Sequence, residues 1–237
     1  MPSRREFLDK ALWASLSTLI LQSSLWSSAA KAELLGKVPK DLPPGKSVYR
    51  IKGQVWVDGQ LANEDTFISA NALIKTGAKS EIIFVVGEDA HILRANSELQ
   101  LSGEGTLEKG LRLFTGKVLS VFGKRESGQV TINTSTATIG IRGTGAYVES
   151  YSEYSYLCTC YGVADIQAQT DPAEKETIST IHHDAPRRIL ATGKQKILPA
   201  PMMNHNDEEL MLVEALVGRT PPFSAVKKTY SSPRRSY

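Results

Sequence analysis

The chain has 237 residues, 28 lysines and arginines against 25 aspartates and glutamates, and a formal charge of +3. Hydrophobic residues make up 41% and charged residues 22%, which excludes a mostly disordered chain and allows one or two domains with a real core. Two cysteines exclude a disulfide framework, and 18 glycines with 11 prolines speak for many turns and against a helical bundle.

The chain starts with a charged stretch holding Arg4 and Arg5, followed by a mildly apolar run from Ala11 to Trp26 and by Ala30-Lys31-Ala32. The run is interrupted by serines and is too short and polar for a membrane span. The three parts together predict an export signal over 1–32, cleaved after the A-x-A site. Ser3-Arg4-Arg5-Glu6-Phe7-Leu8 resembles the twin-arginine motif, a route that carries already folded proteins. This predicts a soluble periplasmic protein with no membrane span in its mature form. Taking away the signal's four basic and two acidic residues leaves 24 basic against 23 acidic. Four of the remaining cations, Lys227, Lys228, Arg234 and Arg235, sit in the last eleven residues, so the body between is near −3. A body without a basic face speaks against nucleic acid as a partner.

Residues 33–46 carry three prolines and no period, which reads as a linker. From Ser47 the pattern turns to period two. Val55 to Leu61 holds an Asp58-Gly59 turn between apolar flanks, a strong hairpin signal. Short strands are expected at 72–77, 81–86, 91–94 and 97–101. Further strands are expected at 111–116, 117–122, 130–134, 137–141 and 145–151. Residues 156–161 and 163–169 are expected to form a hairpin, followed by weaker strands at 177–183 and 187–190. Asn206-Asp207-Glu208-Glu209 is a capping sequence. It opens an amphipathic helix whose Leu210, Val213, Leu216 and Val217 share one face, with Gly218 as its stop. Residues 221–237 are expected to be a disordered basic tail. The fold class that follows is all-β, an antiparallel β-sandwich or β-roll of about a dozen short strands with one C-terminal helix.

Four segments carry a family resemblance. Thr76-Gly77-Ala78-Lys79-Ser80 leads into an apolar strand, and Leu93-Arg94-Ala95-Asn96-Ser97-Glu98-Leu99 follows. Gly110 to Val118 and Thr136 to Val148 complete the order, the last with Arg142-Gly143-Thr144-Gly145. In this order they resemble the FecR-like domain, a periplasmic β module named for the ferric-citrate regulator, over roughly 47–150. The resemblance implies a non-enzymatic module for sensing, signalling or protein contact, with an envelope protein or a small ligand as partner. Anti-sigma activity does not carry over, because the family's cytoplasmic segment and membrane span are replaced here by an export signal. Residues 151–220 are an extension of that domain.

Gly143 and Gly145 permit a sharp bend, across which Arg142 would bridge to carboxylates or carbonyls and Thr144 would close the turn. This reads as a structural or partner-facing corner. Cys158 and Cys160 lie two residues apart in a strand, so their thiols project from one face. His182 and His183 follow, and one of them can join the thiols, since neighbouring residues of a strand point to opposite faces. With His205, His91 or Asp184 as fourth donor this would be a zinc, copper or iron site. Structural cysteines, a redox pair and a reactive thiol stay open as alternatives. Tyr147, Tyr151, Tyr154, Tyr156 and Tyr161 form either an aromatic binding strip or the covering of a half-exposed sheet face. No phosphate-binding loop, nucleophile elbow or zinc-protease motif occurs, and the chain is expected not to be an enzyme.

Overall fold

The alternation and the turn residues build fourteen strands and one helix in the computed structural model, which describes residues 41–125 and 128–225. The expected export signal with Arg4 and Arg5, residues 33–40 of the linker, and the tail from residue 226 lie outside the described residues. The first strands are β1 (Val48–Lys52), β2 (Val55–Val57), β3 (Gln60–Leu61), β4 (Leu73–Thr76), β5 (Glu81–Val86), β6 (Asp89–Leu93) and β7 (Glu98–Glu104). They are followed by β8 (Leu107–Val121), β9 (Val130–Asn133), β10 (Ala137–Ser150) and β11 (Tyr154–Ala168). Last come β12 (Lys175–Thr180), β13 (Arg187–Leu190), β14 (Ile197–Pro199), helix α1 (Asp207–Leu216) and a 3-10 turn over Pro222–Ala225. The fold is all-β with a C-terminal helix, as the strand spacing predicts. Among the described residues no helix is long and apolar enough to cross a membrane.

Three long strands organise the sheet. The first half of β8 pairs with β7, and the second half pairs with β6 and β10. β11 pairs with β10 along its length and takes β13 at one end and β12 at the other. Pairing is antiparallel throughout except between β8 and β9. The expected hairpin at 156–169 is not formed, because Tyr154–Ala168 is one strand. Gly162, at φ +93°, marks an irregularity within it rather than a turn. The expected breaks at 116–117 and 142–144 are likewise interior to β8 and β10. Strand β14 carries too few residues to show a period.

The exchange of partners gives two cores. The first holds Ile82, Phe84, Leu93, Val118, Val148 and Leu157. The second lies on the other face of the β5–β6–β8–β10–β11 region, under α1, and holds Ile83, Ile92, Leu119, Tyr147, Cys158 and Cys160. Strands covered on both faces read as unbroken apolar runs, which is the character of Ile82-Ile83-Phe84-Val85-Val86.

A polar group is enclosed between the strands. His91 meets Ser120 through Nδ1 at 2.9 Å and Glu108 through Nε2 at 3.0 Å, and its ring stacks on Phe84. Asp89 accepts from the Gly123 amide at 2.8 Å and pairs with Arg125. Burial, with the Glu108 carboxylate beside it, pushes Asp89 up to about 6. A carboxyl raised on folding is held more firmly as the acid, so its contribution is full below about pH 4 and is lost as pH rises through 6. Relative to Asp89→Asn, the native protein should gain about 2 kcal/mol between pH 7.5 and 4.5. Denaturant titrations of both proteins at each pH measure this. A difference that stays constant with pH would contradict it.

Candidate metal centre

Four buried donors converge on the second core. Cys158 and Cys160 extend from one face of β11. The β10–β11 register skips a residue here, with Gly145 opposite Tyr161 and Ala146 opposite Thr159, so Cys160 is a bulge residue. Bulges re-aim side chains, and the Cys160 carbonyl accepts the His183 amide at 2.9 Å. His183 ends the bend after β12 in the left-handed region, at φ +55°. That bend resolves the alternation problem of adjacent histidines, since both rings turn toward the same carboxylate. His205 stands just before α1, whose start is set by the Asn206–Glu209 capping box.

Cys158 Sγ lies 3.3 Å from His183 Nδ1, and Cys160 Sγ lies 3.5 Å from His205 Nε2. The two ring nitrogens are 3.2 Å apart. All four donor atoms fall within 4.8 Å of one another, and all four residues are buried. With zinc–nitrogen bonds of about 2.05 Å and zinc–sulfur bonds of about 2.3 Å, a tetrahedral site has nitrogen–nitrogen edges of about 3.3 Å and nitrogen–sulfur edges of about 3.6 Å. The observed separations are those edges to within a few tenths of an ångström.

The outer ring nitrogens are engaged as well. His205 Nδ1 donates to the Met203 carbonyl at 2.8 Å, and His183 Nε2 donates to Asp207 Oδ1 at 3.1 Å. With the outer nitrogens donating, the inner nitrogen of each neutral ring is the one that can turn a lone pair toward a metal. Burial alone would push the Cys158 thiol up. Its hydrogen bond to Cys160 and the two imidazoles outweigh that and hold it well below the ordinary thiol range. Cys160 is pushed well up by burial and by its neighbour's charge. Burial lowers His183, but its hydrogen bond to Cys158, with Asp207 beyond, outweighs that and raises it. The arrangement gathers four donor atoms and favours the thiolate at Cys158.

Other expected site residues fall elsewhere. His182 donates to Asp207 Oδ1 at 2.8 Å and stacks on Phe223 with ring centres 4.2 Å apart. It surrounds the cluster without belonging to the four-donor group. Phe223 is buried and Pro222–Ala225 form a 3-10 turn, so these residues are not part of a disordered tail. His91 belongs to the enclosed polar group described above, and Asp184 caps the bend by accepting from the Ile181 and His182 amides. Arg142 pairs with Asp165 at 3.0 Å on the surface, and Gly143 has φ +55°. A Cβ on Gly145 would fall 2.7 Å from Tyr161, whereas a Cβ on Gly143 would meet only Lys124, 3.8 Å away. The side chain of Thr144 lies outside what is described. The five tyrosines do not form an exposed strip. Tyr147, Tyr156 and Tyr161 are buried, and Tyr151 and Tyr154 are half-buried. Tyr147 stacks on His205 with centres 4.5 Å apart and donates to Glu149 at 2.8 Å. Asp207 is absent from the expected set, because as a first-turn acid it reads simply as a helix-start residue.

No protein-family model and no curated protein matches the sequence. Among solved structures the chain is similar to a candidate anti-sigma factor from Parabacteroides distasonis ATCC 8503, determined at 1.65 Å and at 2.50 Å resolution. The identity is 14% and the TM-score 0.46 in both cases. The match covers 54% of this chain and 58% of that one, so it spans less than two thirds of that protein.

Proposed function

We propose that this is an exported, FecR-like periplasmic β protein that acts by binding, in signalling or as an envelope scaffold, and that it holds one zinc-class divalent ion through Cys158, Cys160, His183 and His205. The observation that carries the metal assignment is the agreement of three donor separations, 3.2, 3.3 and 3.5 Å, with the edges of a zinc tetrahedron. Charge favours a divalent ion. Two thiolates, two neutral imidazoles and a dication sum to zero, the least costly total to bury. Four protein donors close the coordination sphere, the mark of a structural rather than a catalytic centre. Asp207 supports the site as the outer carboxylate that orients His183. The export route rests on the N-terminal segment, and the signalling role rests on the resemblance of the 47–150 segments.

Elemental analysis of protein recovered after export tests the assignment. We expect about one zinc per chain in the native protein and a background level in the Cys158→Ser/Cys160→Ser variant. Equal metal in both, or none in either, would reject it.

A further inference from the structure

We propose that the ion is a latch for α1, so that its occupancy sets whether the helix stays seated on the sheet. This rests on the metal assignment above and concerns what the site regulates. The four donors come from both sides of the join between sheet and helix. Cys158 and Cys160 belong to β11, the best-paired strand of the fold, with partners on both sides at either end. His183 is tied to that strand by its amide bond to the Cys160 carbonyl. His205 belongs to the other side, one residue before the helix N-cap, and Asp207, which accepts from His183, is in the first turn of α1.

The helix is also held by packing and by polar ties, which the ion would reinforce at its N-terminal end. Ten residues are too short to persist alone in water. It seats Leu210, Val213 and Leu216 against the second core. Polar ties of this segment include Glu209 to Arg94 at 2.9 Å, Asp207 to His182 at 2.8 Å, Asn204 to Glu149 at 2.6 Å, Arg219 to the Glu88 carbonyl at 2.7 Å, Glu214 to Tyr161, and the Leu42 amide to the Leu216 carbonyl at 3.1 Å. Without an ion, the inner nitrogens of His183 and His205 face each other at 3.2 Å beside two sulfurs. The ion is the tie that joins the two sides through all four donors. Cys158 and Cys160 stay with β11, whose pairing with β10, and with β13 and β12 on either side of the cysteines, does not involve the helix. The segment carrying His205 and α1 follows the last strand and is the part that can move away. Its departure would uncover Ile83, Ile92, Leu119 and Tyr147, which are buried in its presence. The ion thus decides whether an apolar sheet face is covered.

Amide hydrogen exchange on the full chain tests this, with one equivalent of zinc and after chelation under reducing conditions. Without the ion, exchange over 203–217 should accelerate at least tenfold more than exchange over 81–93 and 98–104, which quickens only as global stability falls. Equal acceleration throughout would mean that the ion supports the whole fold, and unchanged rates over 203–217 would mean that the helix does not depend on it. Either result overturns the latch. The zinc content of the same sample distinguishes these outcomes from failure of the metal assignment, since a chain that takes up no zinc overturns both. A reciprocal measurement uses Leu210→Ala, which leaves all ligands in place. If helix seating and ion binding are linked, this variant must lose zinc affinity, by about 5-fold or more. Unaltered affinity in a folded Leu210→Ala protein would also overturn the latch.

Discussion

Stripping zinc from the loaded protein should lower its midpoint of thermal unfolding by about 8–16 °C. An ion that binds only the folded chain stabilises it by RT ln(1 + [L]/Kd), about 4 kcal/mol when the free ion stands at a thousand times its dissociation constant. For a chain of this size each kcal/mol moves the midpoint by about 2–4 °C. The unfolded chain offers no preformed site, since the ligands at 158, 160, 183 and 205 are spread over the C-terminal third of the sequence. The metal-free fold bears a further burden. It must bury a thiolate at Cys158, a thiol at Cys160 and two inward-facing imidazoles in the space that the ion would organise. Scanning calorimetry at several zinc concentrations measures the effect, and the midpoint should climb with the logarithm of free zinc. The Cys158→Ser/Cys160→Ser variant should unfold at one temperature with zinc or chelator. A native midpoint indifferent to chelation would show that the cysteines and histidines are packing residues of the core.

Much of the strand pattern was legible because it is local. Asp58-Gly59 reads as a tight hairpin turn, and both residues adopt the left-handed conformation such a turn needs, at φ +50° and +81°. Glu81–Val86 is bounded as the apolar run suggests. The helix begins at Asn206 with both halves of its capping box in place and ends before Gly218. What local reading could not separate is a turn from a bulge. Gly116, Gly143 and Gly162 all have positive φ, as hairpin glycines do, yet each lies inside a long strand. The difference is whether the flanks pair with each other or with third strands, which is a tertiary fact. The site divides the same way. The two-residue spacing of Cys158 and Cys160 was enough to place both thiols on one face. Which histidine joins them depends on a left-handed bend at His183, and the fourth donor depends on where α1 is seated. The tyrosines misled because β10 and β11 are covered on both faces, so aromatic residues there fill a core instead of a surface.

Gly116→Ala should cost about 4 kcal/mol, enough to remove much of the stability of an ordinary domain. Gly116 sits where β8 exchanges partners. Thr115 is the last residue paired with β7, and Gly116 is the first paired with β10, opposite Ser150. Its φ of +92° lies outside the ordinary range for a residue with a side chain, a strain of about 1–3 kcal/mol. A Cβ there would stand 2.1 Å from Ser97 Oγ and 2.5 Å from Ser97 Cα. Ser97 cannot withdraw. Its amide donates to Thr76 Oγ1 at 2.9 Å, its carbonyl accepts the Thr76 amide at 2.9 Å, and its hydroxyl accepts the Lys117 amide at 2.9 Å. Forcing a methyl into such a packed position adds about 1–3 kcal/mol of its own. Gly59→Ala is the matched control. It has nearly the same φ, +81°, but open space around the new atom, so only the conformational term of about 1–2 kcal/mol remains. Urea unfolding of the two variants measures the difference. Equal losses would mean that backbone conformation alone accounts for the glycine, and that the junction where β8 exchanges partners tolerates a side chain.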